Sequence, residues 1–294
     1  MFKFNSYFGA KTIGEATQYL KEHSSASVIS GGTDVLVKIR EQKFQNAELV
    51  GIGDIPELKK IWIDADGTLH IGAAVCFHDL VVSPLILQHF PGLAYAAEQV
   101  GGPQIRNMGT IGGNICNGVS SADTAPMILC SNAKVHLVSA DAERFCPVTE
   151  FYISAGKVQK SQDEIATEFL IAKEDYAGFG DRYIKYAMRE AMDISTINCA
   201  VRVKLDPAGE NIADMRIAMG VIAPCPVRLY QTEKAFTGKS IEYALENTGI
   251  LGEEMHPRNS WRASAEFRQY IGKSIFKAAL KDAIENAGGT LCSK

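Results

Sequence analysis

Apolar positions along the first half of the chain alternate between a helical and a strand rhythm. Residues 12–22 read as a helix: Thr12 is the N-cap, Glu15 completes a capping box, and Ala16, Tyr19 and Leu20 make the apolar stripe. Residues 26–30 form a short apolar strand that runs into a Gly-Gly pair. Segments 48–52 and 69–73 predict further strands, the second entered through the Asp66-Gly67 turn. Segments 77–82 and 92–100 predict helices, and 133–139 alternates as a strand. The second half has another texture. Residues 181–188, 197–205 and 214–222 predict strands, the last two joined through Asp206-Pro207-Ala208-Gly209 as a hairpin, followed by helices over 240–248 and 264–286. The change of texture puts a boundary at about residues 173–180, and no fixed-period repeat or low-complexity tract interrupts either half.

A chain of 294 residues has room for two domains, each with its own core. Its 46% hydrophobic and 22% charged content is that of a soluble globular protein. The net charge of −4, without a run of Lys and Arg, disfavours nucleic acid as the main partner, because such binding needs a basic stripe to neutralise phosphates. The N-terminus lacks the apolar stretch of a signal peptide and no apolar span reaches membrane length, so a cytoplasmic protein without a membrane partner is expected. The seven cysteines are scattered and contain no C-x-x-C, so neither a zinc ribbon nor an iron–sulfur cluster can be read from their spacing. Buried filling is the expectation for them, including Cys116, which lies within the glycine-rich region.

Two glycine segments carry the chemistry. Residues 101–114 hold five glycines in fourteen positions and end in Thr110-Ile111-Gly112-Gly113-Asn114, with Asp123 nine residues further on. Ser30-Gly31-Gly32-Thr33-Asp34 repeats the theme directly after an apolar run. Without a Cβ, a Gly-Gly pair lets main-chain N–H groups converge on an anion. Either segment alone reads as a turn or a bulge; together with Asp123 they read as two halves of a grip on a dinucleotide, the carboxylate serving sugar hydroxyls. Gly51-Ile52-Gly53-Asp54-Ile55-Pro56 only begins like G-x-G-x-x-G, since Pro56 takes the third glycine position, and no P-loop sequence occurs. The six histidines show no H-E-x-x-H spacing and there is no G-x-S-x-G. No side chain is therefore assigned as catalytic and none as a metal ligand; a bound cofactor is expected to carry the chemistry.

The ordered set Ser30-Gly-Gly-Thr-Asp-Val35, Gln104-Ile-Arg-Asn107, Gly109-Thr-Ile-Gly-Gly-Asn-Ile-Cys-Asn117 and Ser121-Ala-Asp123 resembles the FAD-binding subunit of molybdenum hydroxylases, most of all the medium subunit of bacterial three-subunit xanthine dehydrogenases. Ile184-Lys-Tyr-Ala-Met-Arg-Glu-Ala-Met-Asp-Ile-Ser195 and Asn259-Ser-Trp-Arg-Ala-Ser264 extend the likeness over essentially the whole chain. The resemblance implies an α+β protein: a vanillyl-alcohol-oxidase (PCMH-type) FAD-binding domain over residues 1–176, in subdomains of about 1–55 and 56–176, and a smaller α+β C-terminal domain over 177–294. It places Val28, Ile29, Ser30, Gly31, Gly32, Thr33, Asp34 and Val35, together with Thr110, Ile111, Gly112, Gly113 and Asn114, around the FAD diphosphate. Asn117 joins that cofactor set, Asp123 binds FAD hydroxyls, and Lys185 lies by the isoalloxazine ring. Val100 falls where some relatives put an aromatic residue against the flavin, Ala166 matches a position at the adenine end, and Arg189 and Asp193 match a loop beside the flavin that tunes its potential. No histidine lies in either Gly-Gly segment, so FAD is expected to be non-covalent.

What the resemblance implies functionally is electron transfer inside a larger oxidoreductase. Iron–sulfur clusters of the 2Fe-2S type and molybdopterin reside on partner subunits, in a dimer of heterotrimers, and FAD on this chain passes electrons to NAD+. Purine hydroxylation, with xanthine favoured, takes place on the molybdopterin subunit. The alternatives are a related hydroxylase acting on another N-heterocycle or an aldehyde, a stand-alone flavin oxidoreductase, and a scaffold that has lost FAD.

Overall fold

A computed structural model describes residues 3–44 and 47–290. Cys292 lies outside the described residues. The chain folds around three main sheets. The first is parallel, with Glu48–Gly51 between Ser6–Gly9 and Ala26–Ile29. The helix Ile13–Glu22 crosses from the first strand to the second, as the apolar spacing predicts, with Ala16 and Leu20 buried and Tyr19 stacked between Phe8 and His23. The Thr12 hydroxyl accepts from the Glu15 amide at 3.1 Å, so the cap is where the sequence puts it. The return arm differs: the Glu15 carboxylate accepts from the amide of Lys11 at 2.7 Å, one residue before the cap.

The second sheet is antiparallel, in the order Ile61–Ile63, Leu69–Gly72, Ile165–Ile171, Lys134–Val138, Glu143–Pro147. Its central strand, Ile165–Ile171, is absent from the elements predicted by periodicity. Thr167 and Glu168 interrupt the apolar run where a bulge shifts the register between Ala166 and Glu168. Glu168 is tolerated there because its carboxylate meets the His70 ring at 3.0 Å.

The third sheet is antiparallel, in the order Gly180–Tyr186, Ile197–Leu205, Ile212–Gly220, Val227–Arg228. The hairpin forms where expected: the Asp206 carboxylate accepts from the amides of Glu210 and Asn211, and Gly209 takes φ +74°. Two strand boundaries shift. The predicted 181–188 strand stops at Tyr186, and 214–222 is observed as Ile212–Gly220. The helix Ala265–Asn286, capped by Ser264, covers one face so closely that a Cβ on Gly180 would fall 2.1 Å from the Ala287 nitrogen. The 101–114 segment is not an open glycine loop: it holds the helix Pro103–Met108 and most of a second, Ile111–Cys116. Among the described residues no helix is long and apolar enough to cross a membrane.

The second and third sheets share one core, in which Ala200 and Ala218 of the third pack with Leu93, Met127 and Tyr183. Arg202 is fully buried at this junction, with Phe90 and Phe179 rings 4.4 and 4.8 Å from its guanidinium carbon. It donates to the Asp175 carbonyl at 2.7 Å and faces the buried Asp181 carboxylate at 3.8 Å, an ion pair just beyond hydrogen-bond reach. Burial pulls the Arg202 pKa down to about 10, against the opposing pull of Asp181. Replacing one partner of a buried pair leaves the other charge uncompensated. Arg202→Ala is therefore expected to lower stability by about 3–5 kcal/mol in urea unfolding; a midpoint unchanged from wild type would show that this junction does not hold the halves together.

Candidate functional site

The first glycine segment begins where the Ala26–Ile29 strand ends. Gly32 adopts φ +71°, a left-handed turn that directs the chain into the helix Val35–Arg40. Gly31 is required for a different reason: a Cβ there would lie 1.7 Å from the Met108 carbonyl oxygen and 3.0 Å from the Gly109 Cα. The two glycine segments are thus pressed backbone to backbone. Among the described residues, the main-chain N–H groups of Gly31, Gly32, Thr33 and Asp34 have no acceptor. The Ser30 hydroxyl is buried and also without a partner. Asp34 pairs with Lys38 at 2.6 Å, and Lys38 donates to Asn117 at 2.8 Å, which ties the first segment to the end of the second.

The second segment has a different role. Thr110 caps the helix Ile111–Cys116, its hydroxyl accepting from the Gly113 amide at 3.2 Å. The Ile111 amide donates to the Val75 carbonyl, that of Gly112 to Ala73, and that of Asn114 to Thr110. The two segments thus differ: the amides of Ile111, Gly112, Gly113 and Asn114 are already claimed by neighbouring chain, whereas those of residues 31–34 are not. Gly112 is a packing glycine, its Cβ position 2.5 Å from the Ala73 oxygen. Gly113 is exposed, and a Cβ there would meet only the Thr110 hydroxyl, at 3.1 Å. The Asn114 side-chain oxygen Oδ1 accepts from the Thr124 amide and hydroxyl, at 3.3 and 2.7 Å.

Two cavities adjoin these residues. One, of about 270 Å³, is lined by Ser30, Gly31, Lys59, Asn107, Met108 and Thr110 among others, so both glycine segments open onto it. The other, of about 260 Å³, is lined by Gln99 and residues 185–193. Lys185 on the Gly180–Tyr186 strand reaches it with a largely buried ammonium, which donates to Asp123 at 2.9 Å and to the Gln99 carbonyl at 2.9 Å. Its third hydrogen has no partner among the described residues. Asp123 is 7% exposed, and its other oxygen accepts from Tyr183 and Ser195, each at 2.7 Å. Tyr183 and Ser195 escape a reading of the sequence as site residues; their one signal is that Tyr183 immediately precedes the Ile184–Ser195 motif and Ser195 ends it.

The remaining assignments separate. Arg189 and Asp193 line the second cavity and pair with each other at 3.4 Å, Asp193 also accepting from the Arg189 and Ile194 amides. Partial burial pushes the Asp193 carboxyl upward, but the Ile194 amide and the Arg189 side chain outweigh it and hold the pKa below the usual carboxylate range. Val28 is half-buried beside the core of the first sheet, whereas Ile29 and Val35 pack around the Val35–Arg40 helix. Val100 packs against the shared core, and Ala166 is buried in the central strand of the second sheet; neither lines either of the two cavities described above. Burial pushes the Cys116 thiol up to about 11, which leaves it protonated and unreactive near neutral pH.

The donor set fits a flavin dinucleotide on chemical grounds. Four consecutive unclaimed amides and a buried hydroxyl suit a diphosphate, and a cation with a free hydrogen suits an electron-accepting ring. Residues 2–172 match the family described as FAD binding domain in molybdopterin dehydrogenase, and residues 182–283 match the CO dehydrogenase flavoprotein C-terminal domain. The xanthine dehydrogenase FAD-binding subunit of Escherichia coli O157:H7 is 38% identical over 295 residues, covering 99% of this chain and 100% of that one. The nicotinate dehydrogenase FAD-subunit of Eubacterium barkeri is 30% identical, covering 96% and 97%. The solved structure of carbon monoxide dehydrogenase from Hydrogenophaga pseudoflava superposes with a TM-score of 0.91 at 27% identity, covering 97% of this chain and 99% of that chain.

The different roles of the glycines can be separated experimentally. Gly31→Ala forces two backbones apart and is expected to cost on the order of 1–3 kcal/mol, read as a lower melting temperature. Gly113→Val meets little within the protein, so the melting temperature should stay within about 3 °C while FAD occupancy falls. Full FAD occupancy in Gly113→Val would remove this face from the cofactor site.

Proposed function

The chain belongs to the family of FAD-binding medium subunits of molybdenum hydroxylases, and from that premise we propose that it takes electrons from 2Fe-2S clusters of a partner subunit and delivers them from non-covalent FAD to NAD+. The observation that carries the reading is the run of unclaimed amides over residues 31–34, packed against the second glycine segment. FAD supplies the chemistry of accepting electrons singly and releasing them as a hydride. The chain's own residues do the rest. Amides 31–34 and Ser30 hold the diphosphate, and the bare face of Gly113 lets it approach. Asp123, its oxygens held by Tyr183, Ser195 and Lys185, is the residue that the family likeness assigns to the FAD hydroxyls, and Lys185 favours negative charge on the ring as it is reduced.

The same reading assigns residues 1–176 to the FAD domain and 177–294 to the C-terminal domain. The hydroxylated substrate binds elsewhere, on a molybdopterin subunit, and the assembly is a cytoplasmic dimer of heterotrimers. Xanthine or a related purine is favoured because the xanthine dehydrogenase relative is 38% identical, against 30% for the nicotinate enzyme's subunit and 29% for the carbon monoxide dehydrogenase medium chain of Hydrogenophaga pseudoflava.

An absorption spectrum of the purified chain, taken before and after acid precipitation and then with NADH added, tests the reading. The expected result is a yellow protein that releases FAD into the acid supernatant and bleaches with NADH. A colourless chain that ignores added FAD would contradict the cofactor assignment, and a yellow chain inert to NADH would contradict the acceptor.

A further inference from the structure

The Asp123–Lys185 pair is held from behind by three residues that touch neither cavity. Tyr183 and Ser195 both donate to one Asp123 oxygen, which leaves the other for Lys185. Ser195 is in turn fixed by the Asn198 side-chain amide, which donates to its hydroxyl at 3.2 Å. The Asn198 carbonyl oxygen accepts from the Gly220 amide at 2.8 Å. Tyr183 and Asn198 are fully buried and Ser195 is 1% exposed, so bulk solvent does not reach the network. The sheet builds this arrangement by register: Lys185 lies opposite Asn198, and Asn198 opposite Gly220, in one row across three strands. A Cβ on Gly220 would fall 2.4 Å from the Asn198 side-chain oxygen, so the row closes only on glycine. Burial first, and the Asp123 charge second, hold the Tyr183 phenol well above its usual pKa, which keeps it a neutral donor.

Resting on the flavin reading above, we propose that Tyr183, Ser195 and Asn198 are positioning residues that confine Asp123 to one orientation and so aim the free hydrogen of Lys185 at the flavin. The two hydroxyls also spread the negative charge of Asp123, so less of it opposes electron uptake by the ring. In a buried site such hydrogen bonds act at low dielectric and are felt strongly. Losing one leaves the carboxylate freer to draw Lys185 back and more exposed electrostatically to the flavin. The flavin then becomes harder to reduce, although neither hydroxyl touches it. Because Tyr183 and Ser195 act through the same oxygen, their effects should be less than additive.

The test compares wild type, Tyr183→Phe, Ser195→Ala and the double variant in the assembled holoenzyme, each equilibrated with a reference dye of known potential. The expected result is a fall of about tenfold in the ratio of reduced to oxidised flavin for each single variant, with the double variant falling by less than the product. Thermal melting is followed in parallel. Variants that melt lower but hold FAD at the wild-type potential would overturn the network and leave only a packing role. A wild-type protein that holds no FAD would instead overturn the flavin reading, and the network with it, and is distinguished by its colourless spectrum before any variant is compared.

Discussion

The candidate site depends on one contact, the closure of Gly31 against the Met108 carbonyl and Gly109. A single Cβ there would sit 1.7 Å from an oxygen, so the two glycine segments can meet only as bare backbone. That closure brings the end of the parallel sheet onto the start of the Ile111–Cys116 helix and opens a cavity of about 270 Å³ beside the join. It also decides which amides remain available. In the second segment the N–H groups of Ile111, Gly112, Gly113 and Asn114 turn toward Val75, Ala73 and Thr110, whereas the first is held by van der Waals closure and the Asp34–Lys38–Asn117 chain, leaving its amides for a ligand.

A second seam runs through Asp123. It lies in the half of the chain that carries the glycine segments, and three donors reach it from the other half. A buried ion pair alone adds little net stability, because desolvation offsets much of the attraction. Its value here is geometric: a cation is fixed at the wall of a cavity with one hydrogen unclaimed. Arg202, sandwiched between Phe90 and Phe179, secures the same two halves further from the site.

Much of the scaffold is legible in the sequence wherever local pattern and final burial agree. The Ile13–Glu22 helix, the Asp206–Gly209 hairpin and the long C-terminal helix all follow their caps, turns and periodicity. The Ile165–Ile171 strand does not, because Glu168 is satisfied by a histidine 98 residues away and so breaks the apolar run without breaking the strand. The glycine segments announce themselves through repetition, yet they look equivalent in sequence. Their division into a ligand-facing turn and a capped helix start comes from tertiary partners such as Ala73 and Val75. The pairing of Asp123 with Lys185, 62 positions apart, is likewise a product of the fold; with the family likeness each residue is picked out, but not the bond between them.

Backbone hydrogen exchange with and without FAD, resolved to single residues, tests the central claim most directly. The account predicts that the amides of Gly31, Gly32, Thr33 and Asp34 exchange rapidly without cofactor and become protected when it binds, while those of Ile111, Gly112 and Asn114, already bonded within the chain, change little. Protection confined to residues 111–114, with 31–34 exchanging as before, would place the diphosphate on the second segment and contradict the account.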